Sequence, residues 1–164
     1  MLQTASMLFF PAAMAYAAAS DLLTMTISNR ISLALIAVFL VIAPLTGLPW
    51  PLIGVHVLLA AGVLVGTFVL FNFGWIGGGD AKLAAAIVLW LGPSLSLPFF
   101  VWTALTGGGL TLALMIFRRV PLPAVLLRQP WIARLYSPEV GVPYGIALAA
   151  GGLIVFPQSV WFTG

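Results

Sequence analysis

The chain has 164 residues, of which 63% are hydrophobic and only 5% charged, with a formal net charge of +3. Soluble domains carry about 25% charged residues, so this chain has too little polar side chain to cover a globule in water. Six basic residues in all are too few for a nucleic-acid surface, and no nucleic-acid partner is expected. The absence of cysteine excludes disulfides, thiol nucleophiles and cysteine-type zinc sites. A single histidine, His56, cannot hold a metal alone, and neither metal nor cofactor is expected. What remains is an all-α polytopic membrane protein whose obligatory partner is the lipid bilayer. At about 20 apolar residues per crossing, the length suits one bundle of about six transmembrane helices, and residues 1–164 read as a single domain.

In chain order, the first crossing covers residues 2–22. The Ala15-Tyr16-Ala17 stretch resembles a signal-peptide cleavage site, but residues 1–6 contain no Lys or Arg, as a secretory n-region requires. The helix is therefore expected to be retained, with Pro11 inside it. Residues 24–30 form a polar turn, and residues 31–45 a second crossing ended by Pro44 and the 46–49 breaker cluster. A third crossing covers 51–71, with Pro51 in its first turn. Residues 72–79 are a glycine-rich connection, and a fourth helix runs from Asp80 to about Leu91, interrupted by Gly92-Pro93. The fifth covers 98–117, where Gly107, Gly108 and Gly109 suit close helix approach. Residues 118–142 are the one long polar connection, with 125–136 suited to lying along the membrane surface. The sixth crossing covers 143–162.

With six crossings, both termini and the loops around Gly47 and Pro93 share one side. Arg30, Lys82, Arg118, Arg119, Arg128 and Arg134 all fall on the other. The positive-inside rule makes that second side cytoplasmic, with both termini extracytoplasmic. Asp21 and Asp80 then share the cytoplasmic end of the bundle. They are two of only three acidic residues, the third being Glu139, and a carboxylate at membrane depth is costly, about 2.5–3.5 kcal/mol at a helix centre.

Two carboxylates that meet cannot both ionise easily, so one keeps a proton while the other stays charged. Such a pair can activate water as general base and protonate a leaving amine as general acid. No other group in the chain supplies both roles, since His56 sits among apolar residues in the third crossing. Gly77, Gly78 and Gly79 lack Cβ atoms, which lets the backbone bend and approach a bound peptide. A bland account also exists for Asp80, because an acid at a helix start is favourable for capping and dipole reasons. Asp21, at a helix C-terminus, has the wrong sign for the dipole. Intramembrane carboxylates also mark proton paths, so a small proton-relay transporter is an alternative reading.

Three stretches carry a resemblance. Gly77-Gly78-Gly79-Asp80 fits the GxGD signature of intramembrane aspartic peptidases, and Ala81-Lys82-Leu83 continues it as in prepilin peptidases. The stretch from Asp21 to Asn29 is similar to that family's first motif, with Ser28 where a proline is usual. Val142-Pro143-Tyr144-Gly145-Ile146-Ala147 resembles its last-helix motif. The chain thus resembles the type IV prepilin peptidase family, in the short form of Flp/Tad pilus systems. The resemblance implies a membrane aspartic endopeptidase with Asp21 and Asp80 as the catalytic pair. Gly77, Gly78, Gly79, Lys82, Asn29, Pro143 and Tyr144 are the implied supporting or substrate-binding residues. The implied partner is a prepilin or pseudopilin precursor, whose short basic leader is removed at the cytoplasmic face. The cysteine-bearing zinc insert of longer relatives is missing, and no methyltransferase activity is expected. Another GxGD-type peptidase with different substrates is the nearer alternative.

Overall fold

The computed structural model describes residues 2–163; Met1 and Gly164, the two ends whose side of the membrane was expected from charge, lie outside it. The described residues are helical and contain no strand. Helices α1 (Leu2–Thr24), α2 (Asn29–Leu45), α3 (Trp50–Asn72), α4 (Gly78–Leu91) and α5 (Pro93–Phe117) follow the expected order. The long connection contains two short helices, α6 (Ala124–Leu127) and α7 (Pro130–Tyr136). The last crossing is broken into α8 (Tyr144–Val155), a 3-10 turn (Phe156–Gln158) and α9 (Val160–Thr163). Pro157 explains that break, because proline disfavours helix at the residue before it and has no N–H to donate. The fifth helix starts earlier than expected, at Pro93, and carries Pro98 within it.

Three helices are long and apolar enough to cross a membrane: Thr4–Thr24, Trp50–Asn72 and Pro93–Phe117. Asn29–Leu45 and Tyr144–Gln158 are shorter apolar helices, and the 14 residues of α4 rise only about 21 Å at 1.5 Å per residue. That is shorter than a hydrocarbon core of about 30 Å. Burial accounts for it: every residue from Leu83 to Leu91 is buried. α4 packs against α2, α3, α5 and α8 and is a central post. Together these elements form a polytopic helical bundle.

The core is densest at the end of α4 away from Asp80. Trp90 is fully buried among Phe9, Phe10, Phe39, Phe156 and Trp161. Its indole N–H donates to the Leu35 carbonyl at 3.0 Å, and the Trp161 indole N–H donates to the Trp90 carbonyl at 2.8 Å. Buried donors so satisfied carry little desolvation cost. His56 is a packing residue of this layer: its Nδ1–H donates to the Leu89 carbonyl at 2.8 Å, and its ring stacks on Phe39.

Gly92, between α4 and α5, has φ +71°, and a Cβ there would run into the His56 ring. Gly92→Ala is expected to cost about 1–3 kcal/mol, read as a lower melting temperature in detergent. Gly47 has φ +82° with nothing within 4 Å of a Cβ, so Gly47→Ala reports the backbone strain alone. The Gly92 variant should lose more.

Candidate active site

The first turn after α1 is built by hydroxyls. Ser20 Oγ–H donates to the Thr26 carbonyl at 2.9 Å and Thr24 Oγ1–H to the Ser20 carbonyl at 2.7 Å. Met25, at φ 54°, takes the left-handed position that ends many helices. Ser28 then caps α2, its Oγ accepting from the Arg30 N–H at 3.3 Å. The serine thus fixes the entry to the helix by capping. The chain turns back so that Ile27 is wedged between two helix starts. Cβ atoms at Gly79 of α4 and Gly145 of α8 would lie 3.1 Å and 2.6 Å from Ile27 side-chain atoms.

Asp21 lies one turn before the end of α1 and is 5% exposed. Its Oδ2 accepts from the Gly145 N–H at 2.7 Å. The cap position of α8 is Pro143, which makes no side-chain cap bond. The Asp21 carboxylate therefore caps the N-terminus of a helix remote in sequence, where unsatisfied N–H groups and the dipole favour an anion. The unfavourable dipole at the end of its own helix is offset by the start of another.

Asp80 occupies the third residue of α4, after the N-cap Gly77. Its carboxylate turns back on Gly77, whose backbone N–H is its partner and whose missing Cβ would stand 2.9 Å from Oδ2. This is half of a capping box. The capping account of Asp80 and a chemical role are therefore not exclusive. The glycine run was expected to provide a sharp bend, but Gly77, Gly78 and Gly79 all have ordinary φ; the left-handed residue is Gly74, at φ 72°. The run provides room instead: Cβ atoms at Gly78 and Gly79 would press on Phe71 at 3.3 Å and on Ile27 at 3.1 Å.

The two carboxylates are close enough for the charge of Asp21 to act on Asp80. α1 and α4 meet through the Phe9, Phe10 and Trp90 rings rather than by close backbone approach, and α8 lies against both. Lys82 donates its ammonium to Asn29 Oδ1 at 2.9 Å. Two residues beyond Asp80, it falls on a different face of α4. The structure thus brings together Asp21, Asp80, Gly77, Gly78, Gly79 and Pro143, and sets the Asn29–Lys82 pair apart. Tyr144 packs its ring on α5, where a Cβ at Gly107 would lie 2.7 Å from it. Gly108 and Gly109 have nothing within 4 Å of a Cβ, so only the first glycine of that run serves close approach.

On sequence alone Gly145 and Ile27 had no role beyond their motifs, and Arg118 and Arg134 none beyond setting topology. The signal for Gly145 was a glycine inside a helix start, a position that costs about 0.5–1 kcal/mol relative to alanine and so calls for a packing reason. Arg118 donates from Nε to the Leu135 carbonyl at 2.8 Å, and from Nη2 to Val140 and Gly141 carbonyls at 2.9 and 3.1 Å. Arg134 Nη2 donates to the Leu23 carbonyl. These tethers hold the long connection over the end of the bundle that carries the aspartates. Arg118→Met is expected to cost about 1.5–3 kcal/mol, as loss of hydrogen bonds from a charged group. The readouts are a lower melting temperature and faster proteolysis within 137–142. Arg118→Lys should recover only part, since an ammonium lacks the planar fork that serves several carbonyls.

Comparison with protein families matches residues 8–112 to the type IV leader peptidase family. The chain belongs to that family. Curated proteins and solved structures show no match to it. As a type IV leader peptidase family member the protein is a peptidase, and its apolar helices make it a membrane protein. The matched span contains both aspartates and the Gly77–Gly79 run and ends inside α5. Gly145, the residue that holds Asp21, lies beyond it.

Proposed function

We propose that this type IV leader peptidase is an aspartic endopeptidase that removes the short basic leader of Flp-like prepilins at the cytoplasmic face. The observation that carries the reading is the pairing of Asp21 and Asp80. Residues nearly 60 positions apart in sequence come within electrostatic reach, the Asp21 carboxylate at the N-terminus of α8 and that of Asp80 at the N-terminus of α4. In this reading the ionised carboxylate takes a proton from water as it attacks the scissile carbonyl. The other, protonated, gives its proton to the departing amine as the C–N bond breaks. Water is consumed, one peptide bond is lost, and the pair ends with its protons exchanged. Asp80 is the more open of the two, so peptide approaches from its side, past Gly77 and Gly78.

Cytoplasmic action is supported by the basic residues, because Lys82, Arg118 and Arg134 are tied to the same end of the bundle as the aspartates. The chain has no cysteine, which supports peptidase action without methylation of the new terminus. The test is co-expression with a Flp-type precursor, then N-terminal sequencing of the product. A mature pilin beginning directly after the leader glycine, with an unmethylated terminus, is expected. An unprocessed precursor would reject the substrate assignment, and a panel of unrelated leader peptides would then reveal whether another substrate is cut.

A further inference from the structure

The face of α4 turned away from Asp80 lines a second feature. Lys82, Ala85, Ala86 and Leu89 recur at helical spacing, and all four line a groove of about 500 Å³ between α2, α3 and α4. Its walls are hydrocarbon, with Leu33 and Ile36 on one side and Val57 and Leu64 on the other. Polar groups occur only toward one end. There the exposed Lys82 ammonium, with three donors, spends one on Asn29. One helical turn along α2 from Asn29, about 4.5 Å deeper, Ser32 also lines the groove. Ser32 is 5% exposed, and its hydroxyl has no hydrogen-bond partner among the described residues. A buried hydroxyl without a partner costs about 1–3 kcal/mol and points to an acceptor brought by something else. None of the three acidic residues lines the groove.

The complement of such a groove has an anionic head, an acceptor one turn deeper and a hydrocarbon tail. We propose that it binds an anionic glycerophospholipid, with the phosphate at Lys82 and Asn29, an ester carbonyl at Ser32 and one acyl chain between α2 and α3. Basic pockets between membrane helices are suited to such headgroups, and the volume is that of a small-molecule site. A substrate helix fits less well. Its end would lie across α4 from Asp80, because Lys82, Ala85, Ala86 and Leu89 face the groove. The lipid instead fills the gap between α2 and α3 on the Lys82 side of the Phe39–His56 stack that joins them.

The test uses the purified full chain in detergent, with dioleoylphosphatidylglycerol and dioleoylphosphatidylcholine as probes and native mass spectrometry as readout. One phosphatidylglycerol should be retained per chain at concentrations where phosphatidylcholine is lost. Lys82 is exposed, so Lys82→Gln should fold; it should weaken retention about fivefold, and Lys82→Arg should restore it. Equal retention of the two lipids, or unchanged retention in Lys82→Gln, would mean unselective boundary lipid and overturn the proposal. A photo-crosslinking residue at Ile36 gives an independent reading in membranes. Crosslinks to phospholipid support the site, whereas crosslinks to a co-expressed precursor helix in place of lipid would assign the groove to substrate and overturn it.

Discussion

Asp21→Asn and Asp80→Asn should each reduce cleavage of the precursor by on the order of 10³-fold, with membrane insertion and helical content unchanged. Asparagine keeps the shape of the side chain and one acceptor oxygen. At position 21 it can still receive the Gly145 N–H, now held at 2.7 Å, and at position 80 it can still face Gly77. What it cannot do is carry the charge or exchange the proton. The structural work of capping α8 and α4 is therefore largely preserved while the chemistry is not. Groups that act as a unit are strongly non-additive, so the double variant should be little worse than either single one. Leader removal followed by gel shift, with membrane fractionation of each variant, measures both halves of the expectation. Normal processing by either variant would remove the paired-acid mechanism.

Gly145→Ala should be nearly as damaging, on the order of 10²-fold in cleavage, although the substitution touches neither carboxylate covalently. Its Cβ would stand 2.8 Å from Asp21 Oδ2 and 2.6 Å from Ile27 Cδ1, distances that real Cβ atoms do not tolerate. Ile27 can rotate, but the carboxylate must leave the N–H it accepts from, and displacement of a catalytic group by about 1 Å is worth this much in rate. Stability should respond less than activity. Overpacking costs about 1–3 kcal/mol, while alanine in place of helical glycine returns about 0.5–1 kcal/mol. Gly108→Ala and Gly109→Ala serve as controls on α5, where a Cβ meets nothing within 4 Å; they should leave both cleavage and melting temperature unchanged or slightly raised. If Gly145→Ala cleaves normally, the hydrogen bond from α8 does not position Asp21.

The carboxylate at position 21 illustrates how far a linear reading reaches. Its depth in an apolar segment marks it as costly and therefore purposeful, and that much is local. Its partner could not be seen, because the N–H that holds it comes from a residue more than 120 positions later. The same holds for Arg118 and Arg134. Their excess on one set of loops is a property of the sequence, but the carbonyls they bind belong to α7, to the turn before α8 and to the end of α1. The shortness of α4 is a third case. Hydropathy reads it as one more crossing, and only its neighbours reveal a post shielded from lipid, for which membrane thickness sets no minimum length.

Composition and the length of the apolar runs were enough to determine an all-helical membrane protein, since long continuous apolar segments satisfy their backbone in lipid as helices, whereas a closed barrel needs short segments of alternating polarity. Local punctuation by Gly, Pro, Ser and Thr was enough to place most helix ends within a few residues, because caps and breakers act over one turn. Which helices touch, which face of α4 carries Asp80 and which carries Lys82's groove, and what stabilises Asp21 were decided by packing. Those depend on side-chain volumes and hydrogen bonds between segments far apart in the chain, and no periodicity within a segment encodes its neighbour.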